Sequence, residues 1–257
     1  MFLYCDEQIP KETKPKLSLA APAMKITPEI DNASIVLLGR FNPAIFQPWW
    51  FAKNGIIGEQ ETFEAEIEII HPELCKFQTE YFFVQAERNR FMVRSNSGPL
   101  ELIKDFALKT FTDFLTYTPI GILGINRSVH FDAGSNEARI VLGKKLAPWE
   151  PWGEWARSFE GEDTEEQGGM LNLTMRENRS KKEGLKGYVR AKIQPSSELS
   201  GNSGVFMDIN NHYDVVGIEE AVGCSKVMHV LEHQWSTAMG HAEFIINQIM
   251  KEIEVLK

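Results

Sequence analysis

The stretch Val227–Leu256 constrains this chain more than any other. Val227, Leu231, Trp235, Ala238, Ala242, Ile245, Ile249, Ile253 and Leu256 step by three or four throughout. That spacing gathers them on one side of a long α-helix. A helix with such a stripe is stable only when the stripe lies against another apolar surface. The question is what surface the other residues build.

They alternate like strands. Ile35–Leu38 is a short apolar run. In Glu64–Ile70, Glu64, Glu66 and Glu68 point one way, and Ala65, Ile67 and Ile69 the other. Tyr81–Ala86 and Phe91–Arg94 flank the polar tetrad Glu87–Arg90, which suits a hairpin turn. In Ile122–Phe131, Ile125, Arg127, Val129 and Phe131 share a side, with Asn126, Ser128 and His130 on the other. Leu171–Arg176, Tyr188–Gln194 (Val189, Ala191 and Ile193 inward) and Val205–His212 supply further strands. Between them, Leu100, Ile103, Ala107, Phe111 and Phe114 predict a helix opened at Ser97-Gly98-Pro99 and closed by Thr118-Pro119. Ser135–Leu146 predicts a second, shorter helix.

The pattern predicts an α+β fold. Antiparallel sheets come from two similar strand-hairpin/helix halves, 33–155 and 170–257, with the long C-terminal helix packed on the sheet. The halves read as a diverged duplication. Residues 1–30, punctuated by Pro10, Pro15, Pro22 and Pro28, predict a flexible N-terminal arm. The length of 257 residues suits one such α+β domain over 31–257.

The net charge of −9 argues against a sequence-independent grip on nucleic acid. Cys5, Cys75 and Cys224 form no CxxC pair, so they read as idle thiols of a reducing compartment. The opening MFLYCDEQIPKETKPK lacks the basic leader and apolar core of a signal peptide, and no apolar run is long enough to span a membrane. The expectation is a cytoplasmic protein with no membrane contact.

Four groups of residues carry candidate chemistry. His229-Val230-Leu231-Glu232-His233 spells H-x-x-E-H, the inverted zinc-peptidase signature. On a helix His229 and His233 sit one turn apart and can share a metal, with Glu232 as base. The further acidic ligand that such enzymes need would have to come from the same helix, which cannot fold back. His241 extends the histidines into a ridge.

Asn126, Ser128 and His130 on one strand, and Asp208, Asn210 and His212 on another, would form a polar cleft if the strands are neighbours. His130, Asp208 and His212 are then acid–base candidates; the competing reading is a solvated outer sheet face. Arg176, Arg179, Lys181, Lys182, Lys186, Arg190 and Lys192 straddle a hairpin, with Arg190 and Lys192 on the same side as Tyr188. That is either a contact for nucleic acid or an edge guarded by charge.

Trp49, Trp50 and Phe51, in a short helix ending at Asn54-Gly55, and Trp149, Trp152 and Trp155 are aromatic clusters that plug a core or anchor an interface. Glu160, Glu162, Asp163, Glu165 and Glu166 lack the glycine-centred calcium-loop spacing and read as a solvated acidic loop. No phosphate-cradling loop or nucleophile elbow occurs, and no cofactor is expected.

The strand GINRSVHF (Gly124–Phe131) after a helix, the final helix with His233 and Phe244, and the segment ASIVLLGRFNPAIFQPWWF (Ala33–Phe51) resemble a sporadically distributed family of bacterial proteins of about this length. The resemblance spans 33–257. That family has no assigned function, so no catalytic residue carries over. The resemblance implies a bacterial, cytosolic accessory protein.

The leading expectation is a non-enzymatic binding or assembly subunit whose partner is another protein or a second copy of itself. A metal-assisted hydrolase or nuclease, and a nucleic-acid-binding accessory factor, are the alternatives.

Overall fold

The computed structural model describes residues 27–161, 168–179 and 184–254. Its centre is one nine-stranded antiparallel sheet. The strands are β1 (Ile30–Gly39), β2 (Glu66–His71), β3 (Leu74–Gln78), β4 (Phe82–Glu87), β5 (Arg90–Ser95), β6 (Ile120–Asp132), β7 (Leu173–Asn178), β8 (Lys186–Pro195) and β9 (Gly204–Asp214). The helices are α1 (Pro48–Lys53), α2 (Glu59–Phe63), α3 (Glu101–Leu108), α4 (Asn136–Leu146) and α5 (Ser225–Glu254).

The strand order is β2-β3-β4-β5-β1-β6-β9-β8-β7. From the central β1–β6 pair outward, each side repeats one scheme. The half's first strand lies at the centre, its last strand lies next to it, and earlier strands follow in reverse. Each half closes with a helix, α3 or α5. The elements therefore divide within 115–119, earlier than a boundary between 155 and 170. The first half carries one extra outer strand, β2.

Alternation explains the layering. Ala33, Ile35 and Leu37 on β1, and Leu123, Ile125, Val129 and Phe131 on β6, are buried beneath the helices. Asn32, Ser34, Val36 and Leu38 point to the opposite face, which no described helix covers. On α5, Val227, Leu231, Trp235, Ala238, Ala242, Ile246, Met250 and Ile253 are buried. Ile245 and Ile249 are only partly buried, because a 3.6-residue turn drifts away from a strict repeat over so many turns. Leu256 lies outside the described residues.

Two apolar clusters fill the covered side. The larger is built on phenylalanine: Phe46 and Phe91 lie 4.9 Å apart, Phe91 and Phe111 5.1 Å, Phe51 and Phe106 4.8 Å. The smaller is mostly aliphatic, with Val129, Ile193, Val205, Met207, Ile209, Ile246 and Met250 around Phe131. Arg127 stands between them on β6, after Ile125 of one cluster and before Val129 of the other. Its guanidinium donates to both carboxylate oxygens of Asp31 at 3.0 and 2.7 Å and lies 3.7 Å from Glu243.

Several expectations need correction. The short run Leu74–Gln78 is a strand that the sequence reading passed over, although Cys75 and Phe77 alternate with polar neighbours. β2 does not have one dry side: all six residues are exposed. It is an edge strand, and a register shift between Ile67 and Ile69 breaks its alternation. Phe114 is not on the buried stripe. The helix after α3 widens into a π-helical turn over Lys109–Phe114, closed by the Leu115 amide donating to the Thr110 carbonyl at 3.0 Å, and this rotates Phe114 outward.

β1 begins at Ile30, and the Glu29 amide already donates to the His130 carbonyl at 2.8 Å, so the end of the expected 1–30 arm is paired. Residues 1–26 with Cys5, the carboxylates Glu162, Asp163, Glu165 and Glu166, and Lys181 and Lys182 lie outside the described residues. Among the described residues, no helix is long and apolar enough to cross a membrane.

Candidate functional site

β6 and β9 are neighbours, so the two polar strand sets do share the uncovered face. The register pairs Gly124 with His212, Asn126 with Asn210, Ser128 with Asp208 and His130 with Phe206. It does not gather His130, Asp208 and His212. The two histidines lie at opposite ends of the β6–β9 ladder, and each has local partners.

His130 is buried against Phe206, with ring centroids 4.7 Å apart. Its Nδ1 is 2.7 Å from Ser196 Oγ. That oxygen accepts the amides of Glu198 and Leu199, both at 3.1 Å, so its own proton goes to His130. The serine is thereby held as a turn cap rather than freed as a nucleophile. Burial lowers the His130 pKa, while the charge of Glu198 raises it. Asp208 accepts from Ser128 Oγ at 3.0 Å and from Arg190 at 3.4 Å, so as a base it is already engaged.

A different arrangement emerges at the middle of the face. Met92, Val36, Gly124, His212 and Tyr188 are direct cross-strand partners, in that order, on β5, β1, β6, β9 and β8. Tyr188 and His212 stack with centroids 4.5 Å apart and planes 13° from parallel. The Arg176 guanidinium lies over the other side of Tyr188 at 4.1 Å. His212 Nε2 reaches Asp214 at 3.1 Å. Alongside runs a polar row, Arg94, Ser34, Asn126, Asn210, Arg190 and Arg176. Asn126 Nδ2 donates to Ser34 Oγ at 3.0 Å, and Asn210 Nδ2 donates to Asn126 Oδ1. Where the two rows meet over Gly124 there is a hollow of about 280 Å3. Two shielded atoms on residues that line it, Arg190 Nε and Asn210 Oδ1, have no hydrogen-bond partner among the described residues.

The other candidates disperse. His229 and His233 do share a side of α5, with ring centroids 4.0 Å apart. His233 Nδ1 bonds the His229 carbonyl at 2.8 Å. Glu232 is exposed beside them. Among the described residues, no three His, Cys, Asp or Glu side chains gather as a metal site. His241 is half-buried, 3.9 Å from Glu177.

The basic hairpin splits between two faces. Arg176, Arg190 and Lys192 are on the uncovered face with Tyr188, and Lys186 ends the same strand. Arg179 instead lies on the covered side, 4.0 Å over Tyr213 and donating to Asn211 at 3.0 Å. Cys75 and Cys224 are buried thiols bonded to the carbonyls of Phe46 and Phe111, and burial pushes Cys75 up to about 11.

The expected interface aromatics also divide. Phe51 is a core residue, fully buried. Trp50 is half-buried against Phe51 and Phe114, and Trp49 is exposed. Trp149 is covered by Lys144 at 3.8 Å, whereas Trp152 and Trp155 are 55% and 61% exposed and touch each other edge-on. A second hollow of about 280 Å3 lies between α4 and the turn before β9, near Arg139 and Met170. Burial lowers the Arg139 pKa there.

Gly124, Ser34 and Arg94 are not among the candidates the sequence offers. The available signal was a glycine in mid-strand, which often marks close approach by a ligand or another backbone. Neither protein-family models nor curated proteins gave a match to the chain.

Proposed function

We propose that this chain is a non-enzymatic binding or assembly subunit of a bacterial cytosolic system, working through protein–protein contacts. The observation that carries the reading is the edge strand β2. Its sequence, EIEIIH, is exposed along its whole length. Phe63 just before it is 92% exposed, and Ile67 and Ile70 are 53% and 42% exposed. Natural sheets protect such edges with charge, proline or a covering element. β2 carries Glu66 and Glu68, but both are drawn back to β3 by Gln78 and Lys76, which leaves Ile67, Ile69 and Ile70 exposed as a template for another strand.

The strand is also self-complementary. Antiparallel pairing with a second copy about a two-fold axis sets Glu66 against His71 and Ile67 against Ile70. The opposite edge, β7, also carries two charges, Arg176 and Glu177, but exposes a single large apolar side chain, Met175. Buried thiols suit a reducing compartment, which supports the cytosolic setting.

Light scattering across a concentration series tests the reading. The unmodified chain is expected to dimerise, and Ile67→Lys with Ile70→Lys to remain monomeric with unchanged circular dichroism. A chain that stays monomeric at every concentration and retains no partner from its host would sink the proposal.

A further inference from the structure

We propose that the hollow over Gly124 is a slot for one base of a single-stranded nucleic acid laid across the uncovered sheet face. The proposal goes beyond the docking edge and does not depend on it.

The slot follows from the stack. The 4.5 Å between the Tyr188 and His212 rings matches the spacing of neighbouring strands, so the rings stand on the sheet and stack along the row. The next position in that row is Gly124, which has no side chain, and beyond it stands Val36. From His212 to Val36 is two strand spacings, roughly 9.6 Å. One planar ring fits between them, continuing the Arg176–Tyr188–His212 stack at the spacing already present.

Nothing in the fold demands a glycine there. A Cβ on Gly124 would meet only ordinary contacts, Asn210 Nδ2 at 3.5 Å and Val36 Cβ at 3.6 Å. Gly121 and Gly39 differ: a Cβ there would lie 2.5 Å from the Val216 carbonyl oxygen and 2.2 Å from that of Pro119. Those two glycines admit passing backbone, while Gly124 weakens a central strand and leaves room for a ligand.

Asn210 and Arg190 line the slot, Asn210 with its Nδ2 toward Gly124, and their shielded acceptor Oδ1 and donor Nε have no partner among the described residues. A base edge presents both kinds of group. The surrounding charge suits phosphates. Arg94 and Arg176 form no ion pair among the described residues and lie on the Phe83 and Tyr188 rings at 4.9 and 4.1 Å, while Lys192 stands across from Asp208, which Arg190 already pairs. From Arg94 on β5 to Lys192 on β8 is four strand spacings, roughly 19 Å, longer than one nucleotide. Cations spread that far favour a strand over a free nucleotide. The net charge of −9 belongs to the whole chain and does not describe this face.

Fluorescence anisotropy with labelled single strands of about 12 nucleotides tests the proposal. Binding is expected at low salt and should weaken as salt rises. Gly124→Val, which fills the slot, and His212→Ala, which removes its wall, should each weaken binding about tenfold or more while leaving the melting temperature within a few degrees. Lys226→Ser, which removes an exposed cation from the helical face, should leave it within about twofold. Should Gly124→Val not fold, His212→Ala and Arg190→Gln decide alone. The proposal fails if no strand binds at low salt, or if a duplex or polyglutamate binds as tightly. It fails equally if a free nucleotide competes as well as the strand, or if the slot variants bind like the unmodified chain.

Discussion

The two apolar clusters lie under the same sheet and beneath the same closing helix, yet they are filled differently. The cluster under β1, β4 and β5 is a lattice of phenylalanine rings, in which Phe46 alone contacts Phe41, Phe51, Phe91 and Phe111. The cluster under β8 and β9 uses short aliphatic and methionine side chains and adjoins the hollow beside α4. Rings bury more area and interlock in fixed orientations, whereas methionine and isoleucine conform to gaps. A common strand order thus specifies where a core sits but not how tightly it is held. The more rigid filling lies on the side that also bears the exposed β2 edge.

Substitutions should expose that contrast. Phe46→Ala leaves a ring-sized void that its neighbours cannot close, so a loss of about 4 kcal/mol is expected in urea unfolding. Met207→Ala in the second cluster should lose about 2–3 kcal/mol, the lower part of the range for its kind, because flexible neighbours collapse toward it. Equal losses would break the distinction between the clusters.

The seam between them is the next point to strain. Arg127→Met removes the partner of Asp31 and Glu243 while keeping much of the apolar stem. Both carboxylates are about a quarter exposed, so water relieves part of the penalty; about 2 kcal/mol is expected rather than the larger loss of a fully buried pair. Adding Asp31→Asn should recover part of it, and a double-mutant cycle in urea measures how much. A neutral Arg127→Met would show the seam to be mere filling.

What the sequence made legible follows from period and length. The stripe on α5 and the alternation of β6 and β9 are long enough that no other structure buries them, and the α+β arrangement follows from those three elements. β3 was lost because five residues hold barely two repeats of a strand. The drift from Ile249 to Met250 and the outward turn of Phe114 were lost because each depends on fractions of a helical turn. At the candidate site, the sides of Asn126, Ser128, Asp208, Asn210 and His212 were legible from alternation. The hollow was not, since it is made by an absent side chain at Gly124 and by a register that places His212 across from it. Residues with reactive groups draw notice in a sequence, and a glycine that makes room does not.

The smallest expected effect is a pH dependence at the end of β6. His130 is buried, its pKa is lowered by desolvation, and its Nδ1 accepts the Ser196 proton. The folded chain therefore holds the ring neutral at a pH where the unfolded chain, near the ordinary value of about 6.5, takes up a proton. Above that value both states are neutral and His130 gives its full contribution. As pH falls through it, the unfolded state binds the extra proton and stability drops. The loss is complete only once the pH is below the lowered folded value. His130→Gln cannot titrate, so its urea midpoint should fall less than that of the unmodified chain between about pH 7.5 and pH 5. The other histidines are present in both proteins and cancel in the difference. Parallel midpoints across that window would mean that His130 is protonated as readily in the folded chain as in the unfolded one, and that the Ser196 hydroxyl turns to accommodate it.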